Sequence, residues 1–244
     1  MKLSVNILCL NTFDTLINSL DILCPDLKYT SHEIIIVDNG STDDLKGLDK
    51  ICENTRVIRN EVNLGISKGK NQGILASQGD YIFLLDGDVV PVAKSVLMLL
   101  DYLEENEECA ALGFMPNKFA LHKNRDKEIY HEEVCRTLFN PRHSPCACLY
   151  YGMYRRNVFD KILLSEDGEF GQPGYGWEDH DFYEKMKQAG IIQWVCGMNH
   201  EAGKYYHKIN SSIKVMGHET YMETSKKRSQ QFKEKWENKE CLIK

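Results

Sequence analysis

The sequence predicts an α/β fold built on a doubly wound, mostly parallel sheet, and three patterns point to it. Near-continuous apolar runs recur along the first half of the chain, as expected for strands buried on both faces. Stretches with helical spacing of apolar residues separate these runs. Two of the runs end at an aspartate that is followed by turn residues. Alternation of strands and helices favours parallel strands with helices on both faces of the sheet.

The first 110 residues contain most of the predicted elements. The apolar run at 3–10 predicts a strand, and the helix after it carries Leu16, Leu20, Ile22 and Leu23 near one face. The further elements predicted here are a strand at 33–37, a turn with Ser41 as a helix N-cap, a short strand at 56–59, a helix at 67–77 stopped by Gly79, a strand at 81–85, and a helix that opens at Pro91 and buries Val92, Val96, Leu99, Leu100 and Leu103.

The second half has a weaker pattern. Residues 118–143 are polar and mixed, which is typical of a long loop, and 146–153 is compatible with a strand. A short helix is expected at 181–189 and a charged helix from about Glu219, with Phe232 and Trp236 on one face. We therefore expect one catalytic domain at 1–218, divided near residue 110 into two halves, and a helical extension at 219–244.

Composition limits the classes of function. A length of 244 residues, with 42% hydrophobic and 27% charged residues, is typical of a soluble globular domain. The net charge of -6 disfavours a broad surface for nucleic acid or anionic lipid. No apolar run reaches the roughly 18 residues of a membrane span, and the start of the chain lacks the basic region of a signal peptide.

The cysteines bear on the expected compartment. They number nine and are dispersed without a repeated C-x-x-C pair, which favours reduced thiols in core positions. This interpretation predicts a cytoplasmic protein, and it leaves a peripheral association with the membrane open.

Two aspartates close buried strands of the predicted sheet. Asp38 follows E-I-I-I-V and Asp86 follows Y-I-F-L-L. In an open parallel sheet the ligand crevice lies outside the carboxyl ends of the strands, so both carboxylates should face that crevice. A single aspartate in such a place is commonly a turn or cap residue. Two of them on neighbouring strands favour a binding site.

The segment D86-G87-D88 places a second carboxylate two positions after Asp86. The glycine between them lets both side chains turn towards one point. Hard divalent cations prefer oxygen ligands and keep substrate phosphates in their coordination shell. A cation bound here would neutralise a departing diphosphate. The alternative is a polar turn between a strand and a helix.

A second group of acids lies in G174-Y-G-W-E-D-H-D-F-Y-E184. Asp181 and Glu184 have the spacing of a capping box, which predicts that Asp181 is a helix N-cap. Glu178 and Asp179 would then precede the helix in a glycine-rich loop and face a pocket. The alternative is a solvated helix N-terminus in which the helix dipole favours acids.

Four segments in this order resemble family 2 glycosyltransferases of the GT-A fold, and the resemblance extends over nearly the whole chain. The last two contain the stretch that is most recognisable in that family, which ends in the D-x-D sequence. The four segments are S4-V-N-I-L-C-L-N11, E33-I-I-I-V-D-N-G-S-T-D43, N63-L-G-I-S-K-G-K-N-Q-G73 and G79-D-Y-I-F-L-L-D-G-D88.

The resemblance implies a donor site for a uridine-diphosphate sugar. At matching positions, Asp38 would hydrogen-bond the uracil edge, and Asn11 and Asp43 would lie near the base and the ribose. Three further residues match positions that contact ribose, diphosphate or sugar, without an order among them: Lys68, Lys70 and Asn71.

The resemblance also implies a divalent metal, Mn²⁺ in the first place and Mg²⁺ as the alternative. Asp86, followed by Gly87, would reach ribose, sugar or metal, and Asp88 would bind the metal directly. The segment Y205-Y-H-K-I-N-S-S212 resembles a late family segment in which a histidine contacts the metal or the diphosphate. His207 is the matching residue, and His200 is its rival.

The acids of the second group match a family motif in which the second acid is the catalytic base. This makes Asp179 the base and Glu178 a residue that orients the acceptor. Some relatives have G-W-G-G-E-D where this chain has G-Y-G-W-E-D, so the tryptophan is displaced. Tyr175 and Trp177 are expected on the acceptor side, with core packing as the alternative for Trp177.

The sequence thus predicts an inverting hexosyl- or N-acetylhexosaminyltransferase that acts on a hydroxyl acceptor, by family habit a glycan or lipid-linked glycan. An inactive module that holds a nucleotide sugar, or a transferase acting on protein or modified nucleic acid, stays open. A dinucleotide oxidoreductase is disfavoured because no G-x-G-x-x-G follows the first strand.

Overall fold

The computed structural model describes residues 1–42, 47–114, 129–130, 142–143, 149–196, 206–207 and 217–236. Its strands are β1 (Leu3–Cys9), β2 (His32–Asp38), β3 (Thr55–Arg59), β4 (Tyr81–Asp86), β5 (Val89–Val90), β6 (Ala111–Phe114), β7 (Ile129–Tyr130), β8 (Arg142–His143), β9 (Tyr151–Arg155), β10 (Gln193–Cys196) and β11 (Tyr206–His207). Its helices are α1 (Phe13–Leu27), α2 (Ile66–Ala76), α3 (Ser95–Glu105), α4 (Arg156–Phe159), α5 (Glu178–Gln188) and α6 (His218–Trp236).

Most strands of the described residues belong to one mixed sheet in the order β3-β2-β1-β4-β9-β6-β10-β8. The first four strands of this order are parallel, whereas β9 runs antiparallel to both β4 and β6. A smaller sheet has the order β5-β11-β7. The predicted α/β fold with a mostly parallel sheet is therefore confirmed, and the four adjacent parallel strands come from the first half of the chain.

The core lies between the parallel strands and the helices that cover them. Leu16, Leu20 and Leu23 of α1 are buried as the helical spacing predicts. Two glycines of helix α2 allow this helix to contact the sheet directly. A Cβ on Gly69 would lie 2.5 Å from a methyl carbon of Leu8, and one on Gly73 would lie 2.6 Å from the side-chain oxygen of Asn6. The N-terminal part of α2 is thereby held close to the end of β1.

Two helix starts differ from the predicted ones. Helix α3 begins at Ser95 and not at Pro91, because Val89–Val90 forms β5 and Lys94 adopts a left-handed conformation just before the helix. Helix α5 begins at Glu178 and not at Asp181. The predicted strand at 146–153 is observed as β9, although residues 144–148 lie outside the described part. The proposed Ser41 N-cap precedes residues 43–46, which also lie outside it.

The prediction that the cysteines are all reduced thiols is wrong for one pair. Cys24 of α1 and Cys52 form a disulfide, with their Cα atoms 5.5 Å apart. The two residues are 28 positions apart in sequence, and the fold brings them to a separation that suits the bond. Cys9 and Cys109 are buried thiols, and burial raises the pKa of Cys109 to about 11.

Helix α6 confirms the charged helix predicted at the end of the chain. Its Phe232 packs against Trp177, with ring centroids 5.2 Å apart, so the helix lies against the segment that leads into α5. Within the described residues, the structure contains no helix of the length and apolar character that a membrane span requires.

Candidate functional site

The carboxyl ends of three parallel strands bring the two strand-end aspartates to one edge of the sheet. Strand β1 lies between β2 and β4, with Cys9 in register with Asp38 and Leu8 in register with Asp86. Since neighbouring strands are about 4.8 Å apart, the two aspartates lie two strand spacings, or roughly 10 Å, from one another along this edge. The sequence predicted this shared edge, but the two strands are not neighbours as predicted, because β1 lies between them.

Asp38 is completely buried at the end of β2. Its Oδ1 accepts a hydrogen bond from the backbone N–H of Ser41 at 2.9 Å. Its Oδ2 lies 3.4 Å from Nε of Arg59, but accepts no hydrogen bond from the described residues. A buried carboxylate oxygen that accepts no hydrogen bond within the protein can accept one from a ligand.

The segment after β1 is joined to the segment after β2. Asn11 has a left-handed backbone, and its N–H donates to the hydroxyl of Ser41 at 2.9 Å. Its side-chain oxygen accepts from the backbone N–H of Thr42 at 2.8 Å. Asn11 is therefore placed beside the Asp38 turn, whereas Asp43 lies outside the described residues.

The three candidates on α2 have different surroundings. Lys70 is buried and donates to Oδ1 of Asp86 at 2.5 Å and to the carbonyl oxygen of Leu149 at 2.9 Å. Asn71 donates to the carbonyl oxygen of Leu164 and accepts from its N–H, so its amide is engaged inside the protein. Lys68 is half-buried. Lys70 thus contacts Asp86 from the interior of the protein.

Gly87 makes the turn after β4 possible. A Cβ at this position would lie 2.6 Å from the hydroxyl of Thr12 and 2.7 Å from Cβ of Cys9, which is too close for any larger residue without movement. The N–H of Gly87 donates to the carbonyl oxygen of Leu8 at 2.7 Å. The D-G-D turn, which ends in Asp88, is therefore fixed against the end of β1.

The small sheet connects this turn with the late histidine. Val89 of β5 is in register with His207 of β11, and Val89 directly follows Asp88 in the chain. The backbone of His207 is therefore near the D-G-D turn. The side chain of His207 and the whole of His200 lie outside the described residues. Among the described side chains no group of three potential ligands is close enough to hold a metal ion. As ligand types, two carboxylates and an imidazole suit Mn²⁺.

The second acid group begins α5, and this corrects the capping-box prediction. Trp177 precedes the helix in a left-handed conformation with φ of 70°, which is rare for a bulky residue. The first turn of the helix contains Glu178, Asp179 and Asp181, and Trp177 is its N-cap. Because the helix starts three residues early, Asp181 is not its N-cap.

Asp181 is instead buried in a polar cluster with residues of α6. Its carboxylate accepts hydrogen bonds from the Ser165 hydroxyl at 2.5 Å and from Nε1 of Trp236 at 2.8 Å. Nζ of Lys235 lies 2.9 Å from it. This third acid of the motif is therefore engaged inside the protein.

Glu178 is largely buried and forms an ion pair with Arg228 of α6, with Oε2 and Nη1 3.1 Å apart. Burial, together with the negative charge of Asp179, raises the pKa of Glu178 to about 7, although Arg228 opposes this rise. The charge of Asp86 also contributes to the rise.

Asp179 is more exposed than the other two acids of the motif. Its Oδ1 accepts from the backbone N–H of His180 and lies 2.9 Å from Nδ1 of the same residue. This hydrogen bond raises the pKa of His180. An accessible carboxylate with a fixed orientation at a helix start is chemically suited to accept a proton from a ligand.

Aromatic residues surround the acids. Tyr175 stacks on Tyr221 of α6, with ring centroids 5.3 Å apart and planes at 28°. The ring of Trp177 packs against His180 and Phe232, which supports the core-packing interpretation of this residue.

Several residues of this site were not predicted from the sequence. One of them lies directly beside the acids, and the others lie on α6, where their spacing on one helical face is the signal that could have found them. They are His180, Tyr221, Arg228, Lys235 and Trp236.

Solved structures share this fold. TarS of S. aureus, residues 1–349, has a TM-score of 0.61 at 19% identity, over 85% of this chain and 60% of that one. The same protein was solved in complex with UDP-GlcNAc. The mannosyltransferase PcManGT of Pyrobaculum calidifontis, solved with GDP-Man and Mn²⁺, has a TM-score of 0.58 at 13% identity, over 80% of this chain and 56% of that one. These similarities confirm the predicted GT-A fold.

Sequence comparison identifies the family. An uncharacterized glycosyltransferase of Rickettsia conorii is 30% identical over 137 residues, which are 55% of this chain and 19% of that protein, so the chain spans about a fifth of this relative. The model of glycosyl transferase family 2 matches residues 4–163. The family resemblance predicted from the four segments is thus confirmed, and the chain belongs to glycosyltransferase family 2.

Proposed function

We propose that the chain catalyses inverting transfer of a sugar from a UDP-sugar to a hydroxyl acceptor, with a glycan or a lipid-linked glycan as the acceptor class. One observation carries the proposal. Helix α2, whose Lys70 holds Asp86, begins against the segment that precedes the acid motif, where a Cβ on Gly65 would lie 2.6 Å from the carbonyl oxygen of Gln172. These contacts support one site for the candidate donor carboxylate and the candidate acceptor acids.

The donor nucleotide would lie along the carboxyl edge of the sheet. Oδ2 of Asp38 is buried and accepts no hydrogen bond from the described residues, so it is suited to the N–H of uracil. Asn11 borders the same turn and would lie near the base and ribose, with Asp43 and Lys68 as further donor contacts. The TarS complex with UDP-GlcNAc supports a uridine donor, and an N-acetylhexosamine is the first sugar to test.

The diphosphate would lie near the D-G-D turn. Asp86, Asp88 and His207 would hold a divalent cation, whose positive charge would stabilise the departing diphosphate. PcManGT, which was solved with Mn²⁺, supports this ion as the first choice and leaves Mg²⁺ as the alternative. Lys70 fixes one oxygen of Asp86, so the orientation of this carboxylate does not depend on the ligand.

The reaction would be a single displacement. Asp179 would take the proton of the acceptor hydroxyl as its oxygen attacks the anomeric carbon from the face opposite the diphosphate. The bond to the acceptor forms as the bond to UDP breaks, so the configuration inverts. Glu178 would orient the acceptor, and Tyr175 would form one wall of its pocket. His180 would keep Asp179 oriented through the 2.9 Å contact.

The test is a panel of nucleotide sugars with sugar acceptors, read by UDP release and by NMR of the product anomer. Asp179→Asn should lower turnover at least about 10²-fold, with little change in donor affinity. Glu184→Gln, a charge-neutralising change in the same helix, is the control and should keep wild-type turnover. Retained configuration, or normal turnover of Asp179→Asn, would refute the mechanism. Donor binding without any turnover would favour an inactive binding module.

A further inference from the structure

One face of α6 contacts the segment that leads into α5 and the start of α5 itself. Residues at positions 228, 231, 232, 235 and 236 have the spacing of a single helical face. Gln231 accepts from the N–H of Glu169 at 2.7 Å and donates to the carbonyl oxygen of Asp167 at 3.0 Å. The helix is thus attached to this segment along much of its length.

Arg228 makes the central contacts of this face and is completely buried. Nη1 lies 3.1 Å from Oε2 of Glu178 and 3.4 Å from the carbonyl oxygen of Gly176. Nη2 donates to the carbonyl oxygen of Gln172 at 2.8 Å. One guanidinium group therefore joins three points of the segment 172–178, and a planar group with donors in fixed directions suits this task.

The contacts of α6 distinguish the three acids of the motif. Arg228 engages Glu178, and Lys235 engages Asp181 at 2.9 Å. The carboxylate of Asp179 contacts the ring of His180, on its own helix. The helix α6 thus fixes the acids on either side of Asp179 and leaves Asp179 accessible.

We propose that Arg228 is a positioning residue, which holds Glu178 and the segment 172–178 so that Asp179 is presented to the acceptor hydroxyl. The proposal rests on the proposed function, because it assigns Asp179 the role of base. It goes further in making the last described helix a part of the acceptor site, although none of its residues was expected there.

The charges around Glu178 give the proposal a specific signature. Asp179 and His180 of α5, Asp86 of β4, Tyr175 of the preceding segment and Arg228 of α6 all interact with Glu178. Among them Arg228 is the group that lowers the pKa of Glu178. Loss of its charge should therefore move the titration of Glu178 to higher pH, whereas an unrelated loss of stability should not.

The experiment compares Arg228→Met, Arg228→Lys and Arg228→Met/Glu178→Gln in the full chain. Lys227→Met is the matched control, because this neighbouring lysine is exposed and pairs with Glu223. The readouts are kcat, KM for donor and acceptor, the pH profile of kcat, and ¹³C NMR titration of the Glu178 carboxyl group. Arg228→Lys keeps the positive charge but loses the planar group of N–H donors. The double variant removes both members of the buried charge pair. Either variant can therefore fold even where Arg228→Met does not.

We expect Arg228→Lys to lower kcat at least about tenfold with an unchanged donor KM, since a lysine makes only some of the three contacts. In Arg228→Met the Glu178 titration should move to higher pH, and in the double variant that titration should be absent. Wild-type kcat in Arg228→Lys, or an unchanged Glu178 titration in Arg228→Met, would overturn the proposal. Absence of transfer by the wild-type protein would refute the proposed function, and the titration would still decide the role of Arg228.

Discussion

Nζ of Lys70 lies 2.5 Å from Oδ1 of Asp86, which joins α2 to the end of β4 through a nearly buried cation and a partly exposed carboxylate. Removal of one partner of such a pair leaves the other charge uncompensated. We expect Lys70→Met to lower the free energy of unfolding in urea by about 1–3 kcal/mol. In an Asp86→Asn background, Lys70→Met should lower the free energy of unfolding by clearly less. Equal losses in both backgrounds would show that the pair is not coupled, and Lys50→Met, at an exposed site, is the control.

The metal proposal predicts that excess chelator abolishes transfer and that Mn²⁺ or Mg²⁺ restores it. Asp88→Asn should abolish transfer while the far-UV circular dichroism stays unchanged, because this residue would bind the cation directly. Asp80→Asn, at an exposed position before β4, should behave like the wild type. Full activity in excess chelator would contradict the metal proposal, whatever the behaviour of Asp88→Asn.

The buried carboxylate of Asp38 predicts selective binding of uridine diphosphate. Asp38→Asn keeps an oxygen for the N–H of Ser41 and can place an amide where Oδ2 would accept from uracil. We expect weaker binding by about 1–3 kcal/mol in calorimetry, as for loss of a charge-assisted hydrogen bond. Arg59→Met removes the positive charge beside Asp38 and keeps the carboxylate itself, so it tests the alternative that Asp38 only supports the turn. If Asp38→Asn binds UDP normally, or if the wild type prefers a guanine nucleotide, Asp38 does not recognise uracil.

The same change of Asp to Asn is predicted to lower turnover at Asp179 and the free energy of unfolding at Asp181. Asp181→Asn weakens a cluster with Ser165, Trp236 and Lys235, and we expect a loss of about 2–4 kcal/mol in the free energy of unfolding. This is more than a cap residue would cost. Asp179→Asn should leave stability nearly unchanged but lower turnover. Urea unfolding followed by tryptophan fluorescence, beside turnover for both variants, makes the comparison, and equal stability of the two variants would contradict it.

Glu178 makes the stability of the protein depend on pH. Burial raises its pKa from 4.5 to about 7 in the folded chain, so the folded state holds a proton that the unfolded state has released between these values. The free energy of unfolding attributable to Glu178 is therefore greatest at low pH and falls as pH rises from about 4.5 to 7. Glu178→Gln should flatten this dependence in urea titrations at pH 5, 6, 7 and 8. An identical slope in the variant would show that Glu178 is not its source.

The donor half of the molecule was predictable because its signals are local. An apolar run that ends in aspartate specifies both a buried strand and the position of its last side chain, and this gave Asp38 and Asp86 correctly. The helix start at Asp181 was predicted wrongly because capping-box spacing is also local, whereas the partners of Asp181 come from α6. A contact such as Arg228 with Glu178 joins residues 50 positions apart, and no short pattern encodes it.

The attachment of α6 to the acid motif has a consequence for the timing of synthesis. Glu178 and Asp181 receive partners that follow them by 50 and 55 residues. At the usual rates of translation this stretch takes about 3–10 s to make. A nascent chain can therefore complete its four parallel strands, and with them the edge proposed to hold the nucleotide, while the acids are still without their partners. The proposed sugar transfer would then become possible only after α6 has left the ribosome and docked.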